Sequence, residues 1–263
     1  MNNVPQKGNS MNILQIRNVI FGEGRPKVCV PIVGKTEEEI LNAARQITSC
    51  SADVVEWRAD WYEQIFQPEK VLETARQLRI ILQDTPLLFT FRTAKEGGEK
   101  EISNEMYENL NRTVAESGYV DLIDVEVFTD DNLVRRIIAH AHEHNISVIG
   151  SNYDFHKTPD KEELIRRLCH MQELDADLPK IAVMPTCRQD VLTLLSATLE
   201  MKEQHADRPI ITMSMAGTGV ISRLSGECFG SALTFGAVGQ TSAPGQIPVT
   251  ELVQVLDIIH HSL

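Results

Sequence analysis

The sequence predicts an α/β chain folded as a single (β/α)8 barrel, a TIM barrel, with an N-terminal β-hairpin closing its bottom. Three observations lead there. Eight short apolar runs with strand character recur along the chain, each followed by a segment of helical spacing. The 263 residues, 42% of them hydrophobic, suffice for one large core, and α/β barrels of this length are commonly single domains. The competing α/β arrangement, an open doubly wound sheet, normally carries a Gly-rich nucleotide turn after its first strand. Here that turn is Val33-Gly34-Lys35-Thr36, which lacks the earlier spaced glycine and reads better as a helix N-cap.

Taken in order, residues 1–10 are polar and precede a second methionine, Met11; they read as a disordered tail or an expression remnant, leaving 11–263 as the barrel domain. Residues 13–21, followed by Gly22-Glu23-Gly24, read as the extra hairpin. Strands are expected at 28–34, 53–60, 86–93, 120–127, 147–154, 178–185, 208–215 and 233–239. Helices are expected near 36–49, 67–83, 102–117, 131–144, 160–174, 188–205 and 219–228, with a last one at 248–261. Thr36 before Glu37-Glu38-Glu39 is a helix start, and Thr158-Pro159-Asp160 is expected to put Pro159 at a first helical position. Pro248 with Thr250-Glu251 starts the last helix in a similar way. In the sixth helix, Val191, Leu194, Leu195, Ala197, Thr198 and Met201 recur at helical spacing.

Composition narrows the function. The net charge of −12, without any Lys/Arg-rich block, argues against nucleic acid and anionic membrane surfaces as partners. The five cysteines are scattered and contain no CxxC pair, which suits reduced thiols and a cytoplasmic location rather than a disulfide framework or a zinc site. No apolar run is long enough to span a bilayer, and no signal peptide is read.

Lys180 stands out because it interrupts the apolar run 178–185. Alternation puts it on one face with Ala182 and Met184. If that face points into a closed barrel, burial is expected to lower the ammonium pKa and free an amine for imine chemistry on a ketone. A strand-end lysine snorkelling to water is the plain alternative. In this fold, chemistry sits at the C-terminal strand ends. There the chain offers Glu56, Arg58 and Asp60 in step; Arg92; a loop from Lys95 to Glu99 expected to be mobile; and Asp124 with Glu126. Glu56 and Asp60 equally suit an ion-pair layer that stabilises the barrel. Further on come Tyr153, His156, Arg223 and the lid-like loop 242–246, while Met213, Met215 and Phe235 suit apolar packing around a substrate. The mouth has no compact His/Cys cluster, so no metal is implied there. Arginines suit a carboxylate or phosphate. Together these groups point to proton abstraction beside the carbonyl of a small anionic keto substrate, with dehydration and aldol cleavage both compatible.

At this point the chain resembles the type I 3-dehydroquinate dehydratases, Schiff-base dehydratases of the shikimate pathway. Six ordered blocks carry the likeness: 56–60 (EWRAD); 91–93 (FRT) with 96–99 (EGGE); 151–155 (SNYDF); 179–185 (PKIAVMP); 211–215 (ITMSM) through 221–224 (ISRL); and 242–246 (SAPGQ). It spans the chain from about Lys27 to the C-terminus. The resemblance implies a (β/α)8 barrel, usually dimeric, without cofactor or metal. It implies that Lys180 forms an imine with the C3 ketone of 3-dehydroquinate, and that loss of a C2 proton and the C1 hydroxyl yields 3-dehydroshikimate. It also implies that Arg223 clamps the substrate carboxylate, and that Glu56, Arg58 and Arg92 contact the ring hydroxyls and reacting region. Ser242 and Gln246 match the closing lid, and Glu96 a carboxylate near the catalytic histidine. Pro31 replaces a serine of some members, so that contact is not carried over.

One departure matters most. Where the family reads Ser-Asn-His-Asp-Phe, this chain has Tyr153 at the proton-moving histidine position. A phenol ordinarily titrates near ~10 and an imidazole near ~6.5. Tyr153 is thus expected to be a poor base at neutral pH, and a larger one. Three readings stay open: a substitution in an otherwise ordinary enzyme; a slow natural variant relaying protons through Tyr153, water or His156; and a non-catalytic chain that binds or traps the metabolite. His156 also has a plainer reading as a surface or capping residue. A Schiff-base aldolase is a further alternative, disfavoured by the lack of an obvious phosphate-binding Gly run after strands seven and eight.

Overall fold

A computed structural model describes residues 13–239 and 241–263. The expected tail at 1–10 lies outside the described residues. The chain opens with the antiparallel hairpin β1 (Leu14–Ile16) and β2 (Val19–Phe21). Eight parallel strands follow: β3 (Lys27–Ile32), β4 (Val54–Arg58), β5 (Leu87–Thr90), β6 (Leu122–Glu126), β7 (Ser147–Asp154), β8 (Leu178–Val183), β9 (Ile211–Ser214) and β10 (Leu233–Ala237). Each pairs with the next from β3 to β9, and β10 pairs back onto β3. A parallel bridge between Ile210 and Ser231, with Ala232 N–H donating to the Ile210 carbonyl at 2.8 Å, joins the β9 and β10 ends and completes the ring. A short β11 (Ile247–Pro248) adds to β10.

The connecting helices are α1 (Glu37–Ile47), α2 (Pro68–Leu82), α3 (Asn104–Glu116), α4 (Asp131–Glu143), α5 (Lys161–Glu173) and α6 (Arg188–Glu200). The short α7 (Val220–Leu224) and α8 (Gly226–Phe229) and the closing α9 (Val249–His260) complete the set. Local chemistry explains their ends. Thr36 and Glu39 form a reciprocal capping box on α1. Ser103, Asp130 and Asp160 each accept from a backbone N–H in the first turn of α3, α4 and α5. The cap on Asp160 corrects the expectation for Pro159, which lies one residue before the cap. The proline at a first helical position is Pro68. The expected helix at 219–228 is two short helices, and the expected 188–205 ends in a π turn, Met201–His205. The periodic face from Val191 to Met201 is buried as its spacing requires.

Alternation along the strands sorts the interior. Outward residues such as Val30, Trp57, Phe89, Ile123 and Ile181 meet the helices in one continuous core. The inward residues nearest the strand starts, among them Cys29, Val54, Leu88, Leu122 and Leu178, form a second apolar cluster. Ile16, Val19 and Phe21 of the hairpin pack into that cluster and plug the barrel bottom, as expected. One or two steps further along β4 to β8 the inward residues become polar, Glu56, Thr90, Asp124, Ser151 and Lys180 among them, while β9 and β10 stay apolar with Met213 and Phe235, so the candidate site rests on an apolar floor.

Candidate active site

Lys180 lies at the centre of the barrel with no solvent exposure. Its Nζ donates to Asp124 Oδ2 at 3.0 Å. Asp124, equally buried, also accepts from Arg92 Nη2 at 2.6 Å and Ser151 Oγ at 2.6 Å. Burial alone acts to lower the Lys180 pKa, but the Asp124 charge outweighs it and the pKa is raised. The expectation of a depressed amine pKa is thereby overturned, because it counted desolvation without a partner. Burial likewise opposes the Asp124 charge, and the Arg92 and Lys180 cations override it, holding the carboxyl down at about 2.

Arg92 organises the next layer. Its Nη1 reaches Glu126 Oε1 and Ser151 Oγ, both at 3.0 Å, and its guanidinium lies 4.3 Å from the Tyr153 ring centroid. The same ring stands 5.3 Å from Lys180 Nζ, and the Phe235 ring 4.7 Å. Tyr153 also stacks on Phe155. Glu96 sits beside it, accepting from the Tyr153 backbone N–H at 2.9 Å and from Asn152 Nδ2 at 3.1 Å. Burial and the nearby Glu126 push the Glu96 pKa up, Arg92 pulls it back, and the result is about 7.

The loop at 95–99, expected to be mobile, is instead a turn tied by backbone bonds from Glu96, Gly97 and Gly98 to Thr93 and Ala94. Gly97 takes φ +83° beneath Phe155, where a Cβ would fall 2.4 Å from the ring. This compact turn aims Glu96 into the barrel.

The expected binding residues converge on one narrow cavity. Its lining combines the charged Glu56, Arg58, Arg92, Glu96 and Arg223 with the rings of Tyr153 and Phe235, Met213, and Ser242 and Gln246 of the loop. Glu56 accepts from Thr90 Oγ1 at 2.9 Å. Arg58 is held by Asp60 through two bonds of 2.8 Å, so Asp60 takes the structural role weighed for it. Arg223 differs from the other two arginines. Almost fully buried, it donates to the Pro244 carbonyl at 3.0 Å, contacts Met213 Sδ at 3.7 Å, and leaves its Nε without a partner. Among the described residues no carboxylate pairs with it, and burial lowers its pKa. A desolvated guanidinium facing a cavity is suited to an anionic ligand.

The loop over the cavity is braced from below. Gln246 exchanges bonds with Ser242 at 2.9 and 3.0 Å, and Arg58 Nη1 donates to the Ser242 carbonyl at 3.2 Å. His156 lies outside the cavity, exposed, with its backbone N–H on Asp154. Asp124 is the group that the sequence reading underused. Its inward position in step with Glu126 was visible, but its place beside Lys180 requires β6 and β8 to flank β7 in a closed ring.

The model of the type I 3-dehydroquinase family matches residues 28–263. The 3-dehydroquinate dehydratase of Clostridioides difficile is 54% identical over 250 residues, spanning 95% of this chain and 98% of that protein. Its counterpart in Listeria welshimeri is 56% identical over 250 residues, spanning 95% and 99%. The crystal structure of the type I enzyme from Clostridium difficile with covalent modified comenic acid superposes with a TM-score of 0.94 at 53% identity, covering 96% of this chain and 100% of that one. The 3-dehydroquinate dehydratase of Geobacillus kaustophilus gives 0.93 at 36% identity, covering 97% and 98%. The fold, the ordered polar mouth and these likenesses agree: the chain belongs to the type I 3-dehydroquinase family.

Proposed function

We propose that this chain dehydrates 3-dehydroquinate to 3-dehydroshikimate through an imine on Lys180, and that Tyr153, at the family's histidine position, strongly slows the reaction. The observation that carries the reading is a fully buried Lys180 paired with Asp124 beneath the Tyr153 and Phe235 rings. Lys180 Nζ attacks the C3 ketone, and loss of water forms the C3=N iminium. The iminium acidifies C2; its proton leaves to a base, and the electron pair forms the enamine. The enamine expels the C1 hydroxyl as water, and hydrolysis of the imine returns the lysine. The iminium nitrogen is the electron sink, so the steps call for no metal or cofactor. Arg223 receives the substrate carboxylate, Glu56, Arg58 and Arg92 the ring region, and Ser242 and Gln246 close over it. The name of the solved Clostridium difficile relative, which includes covalent modified comenic acid, supports covalent chemistry on this scaffold.

The proton steps are where Tyr153 interferes. Lys180 must shed a proton before attack, and Asp124, held at about 2, is a weak acceptor. Glu96, at about 7, has the value suited to transfer near neutral pH. Tyr153 has its backbone N–H on Glu96 and its ring 5.3 Å from Nζ, and at that position a phenol is a poor proton relay and a bulkier group than imidazole. The reading also carries a homodimer and a cytoplasmic location.

Turnover of the chain and of Tyr153→His tests the proposal, together with intact mass and peptide mapping after 3-dehydroquinate and borohydride. We expect an adduct on Lys180 and a rise of about 10²–10⁴ in turnover for the histidine variant. An adduct bearing intact substrate places the block before elimination; one lighter by a water places it at release. Equal turnover in both chains overturns the slowing role. Binding without any adduct favours a chain that only holds the metabolite.

A further inference from the structure

We propose that Glu116, His140 and His144 form a binding site for a borderline transition-metal dication, Zn²⁺ or its neighbours, on the outside of the barrel. Glu116 ends α3, while His140 and His144 lie one turn apart at the end of the adjacent α4. These helix ends lead toward strand starts, so the cluster belongs to the barrel's bottom, opposite the mouth.

The three residues offer one ligand atom each within 4.8 Å of one another. His140 Nε2 comes to 2.8 Å from Glu116 Oε1, yet the contact is out of line for a hydrogen bond and leaves that buried nitrogen unpartnered. A cation shared between nitrogen and carboxylate satisfies both atoms. His144 is prepared in a complementary way. Its Nδ1 lies 2.9 Å from the His140 carbonyl. A backbone carbonyl accepts only from a protonated nitrogen, which leaves the Nε2 lone pair of a neutral ring free for a metal. The His140 and His144 rings lie with centroids 4.6 Å apart. On the other side of His140, Glu143 Oε2 is 3.7 Å from Nδ1, positioned to orient the ring from behind.

Two imidazoles and one carboxylate match the N and O ligand types of Zn²⁺, with metal–ligand distances near 2.0–2.2 Å and one position open to water. Binding requires the side chains to rotate from the present spread to that geometry. Bound metal would tie the end of α3 to the end of α4. Among the described residues the other histidine–carboxylate groups have one imidazole each: His142 with Asp175 and Asp177, His170 with Asp131 and Glu173, His205 with Glu200, and His260 with Glu227. Direct hydrogen bonds or ion pairs explain them.

Calorimetric titration of the full, tag-free chain with Zn²⁺ tests the site, alongside H140A, H144A, E116Q and H142A. One equivalent should bind the unaltered chain and H142A alike. H140A and H144A should each weaken it at least about tenfold, and E116Q should weaken it less. Co²⁺ should give the visible absorption of a low-coordinate N/O site, lost in H144A. His144 is exposed, so H144A reads the site even if H140A misfolds. Zn²⁺ binding that is absent, or equal in H144A and the unaltered chain, overturns the proposal.

Discussion

The charge on Lys180 depends on Asp124, and this dependence sets a consequence for single-residue change. Asp124→Asn leaves two buried cations, Lys180 and Arg92, without the carboxylate they share. Breaking a buried pair costs about 3–5 kcal/mol, so the variant should unfold at markedly lower urea, measured as a shift in Cm at unchanged m. Glu96 makes the opposite kind of statement. Its folded pKa is raised from 4.5 to about 7, so the folded chain keeps a proton that the unfolded chain has released. Its contribution to stability is full below about 4.5 and is lost as pH rises through 7. Asp124, lowered from 3.8 to about 2, contributes above 3.8 and loses that contribution as pH falls through 2. Denaturation of Glu96→Gln across pH 4.5 to 7 should show a flatter stability profile than the unaltered chain. Parallel profiles would rule out Glu96 as the source.

Among the elements, the turn after β5 shows how backbone geometry serves chemistry. Gly98 packs against the chain so closely that a Cβ would lie 1.9 Å from the Arg92 carbonyl oxygen and 2.5 Å from its carbon. Gly98→Ala must push the Arg92 backbone away, at a cost of about 1–3 kcal/mol for overpacking. Because Arg92 holds Asp124, Glu126 and Ser151 together, the variant should lower turnover as well as melting temperature. A stability loss with unchanged kinetics would separate the turn from the site. The same turn marks a limit of reading composition. Lys95-Glu96-Gly97-Gly98-Glu99 suggests a mobile loop, because glycine and charge are common where nothing is packed. Here the glycines are required by packing against Phe155 and Arg92. Helix starts were easier to read, since Thr36 and Glu39 cap within four consecutive residues. Pro159 was misplaced because Asp160, the stronger cap, took the boundary.

For the whole molecule, one consequence concerns the barrel's closed end. Phe21 is fully buried among the inward residues of the first strand layer. Phe21→Ala should open a cavity there and destabilise by about 3–5 kcal/mol. The floor is apolar and remote from the polar mouth, so the loss should appear in thermal unfolding while borohydride trapping at Lys180 persists at low temperature. Loss of trapping in the folded variant would show that the plug and the site are coupled. The mouth itself is held by two arginines with different duties: Arg58, neutralised by Asp60, braces Ser242, while Arg223 braces Pro244 and keeps an uncompensated charge toward the cavity.

The sequence by itself determined the eight strand–helix repeats, the shared faces of the polar residues on the second, fourth and sixth strands, the plugging hairpin and the residues gathered at the mouth. Those features are written in neighbouring residues, through periods of two and 3.6, caps and ordered motif blocks. Only the tertiary structure decided the Lys180 charge, the Glu96 environment, the bracing of the lid and the meeting of Glu116 with His140 and His144. Each depends on groups distant in sequence brought within a few ångströms in a medium where charges are poorly screened. There, the balance between desolvation and attraction turns on which partner is present and how it is aligned.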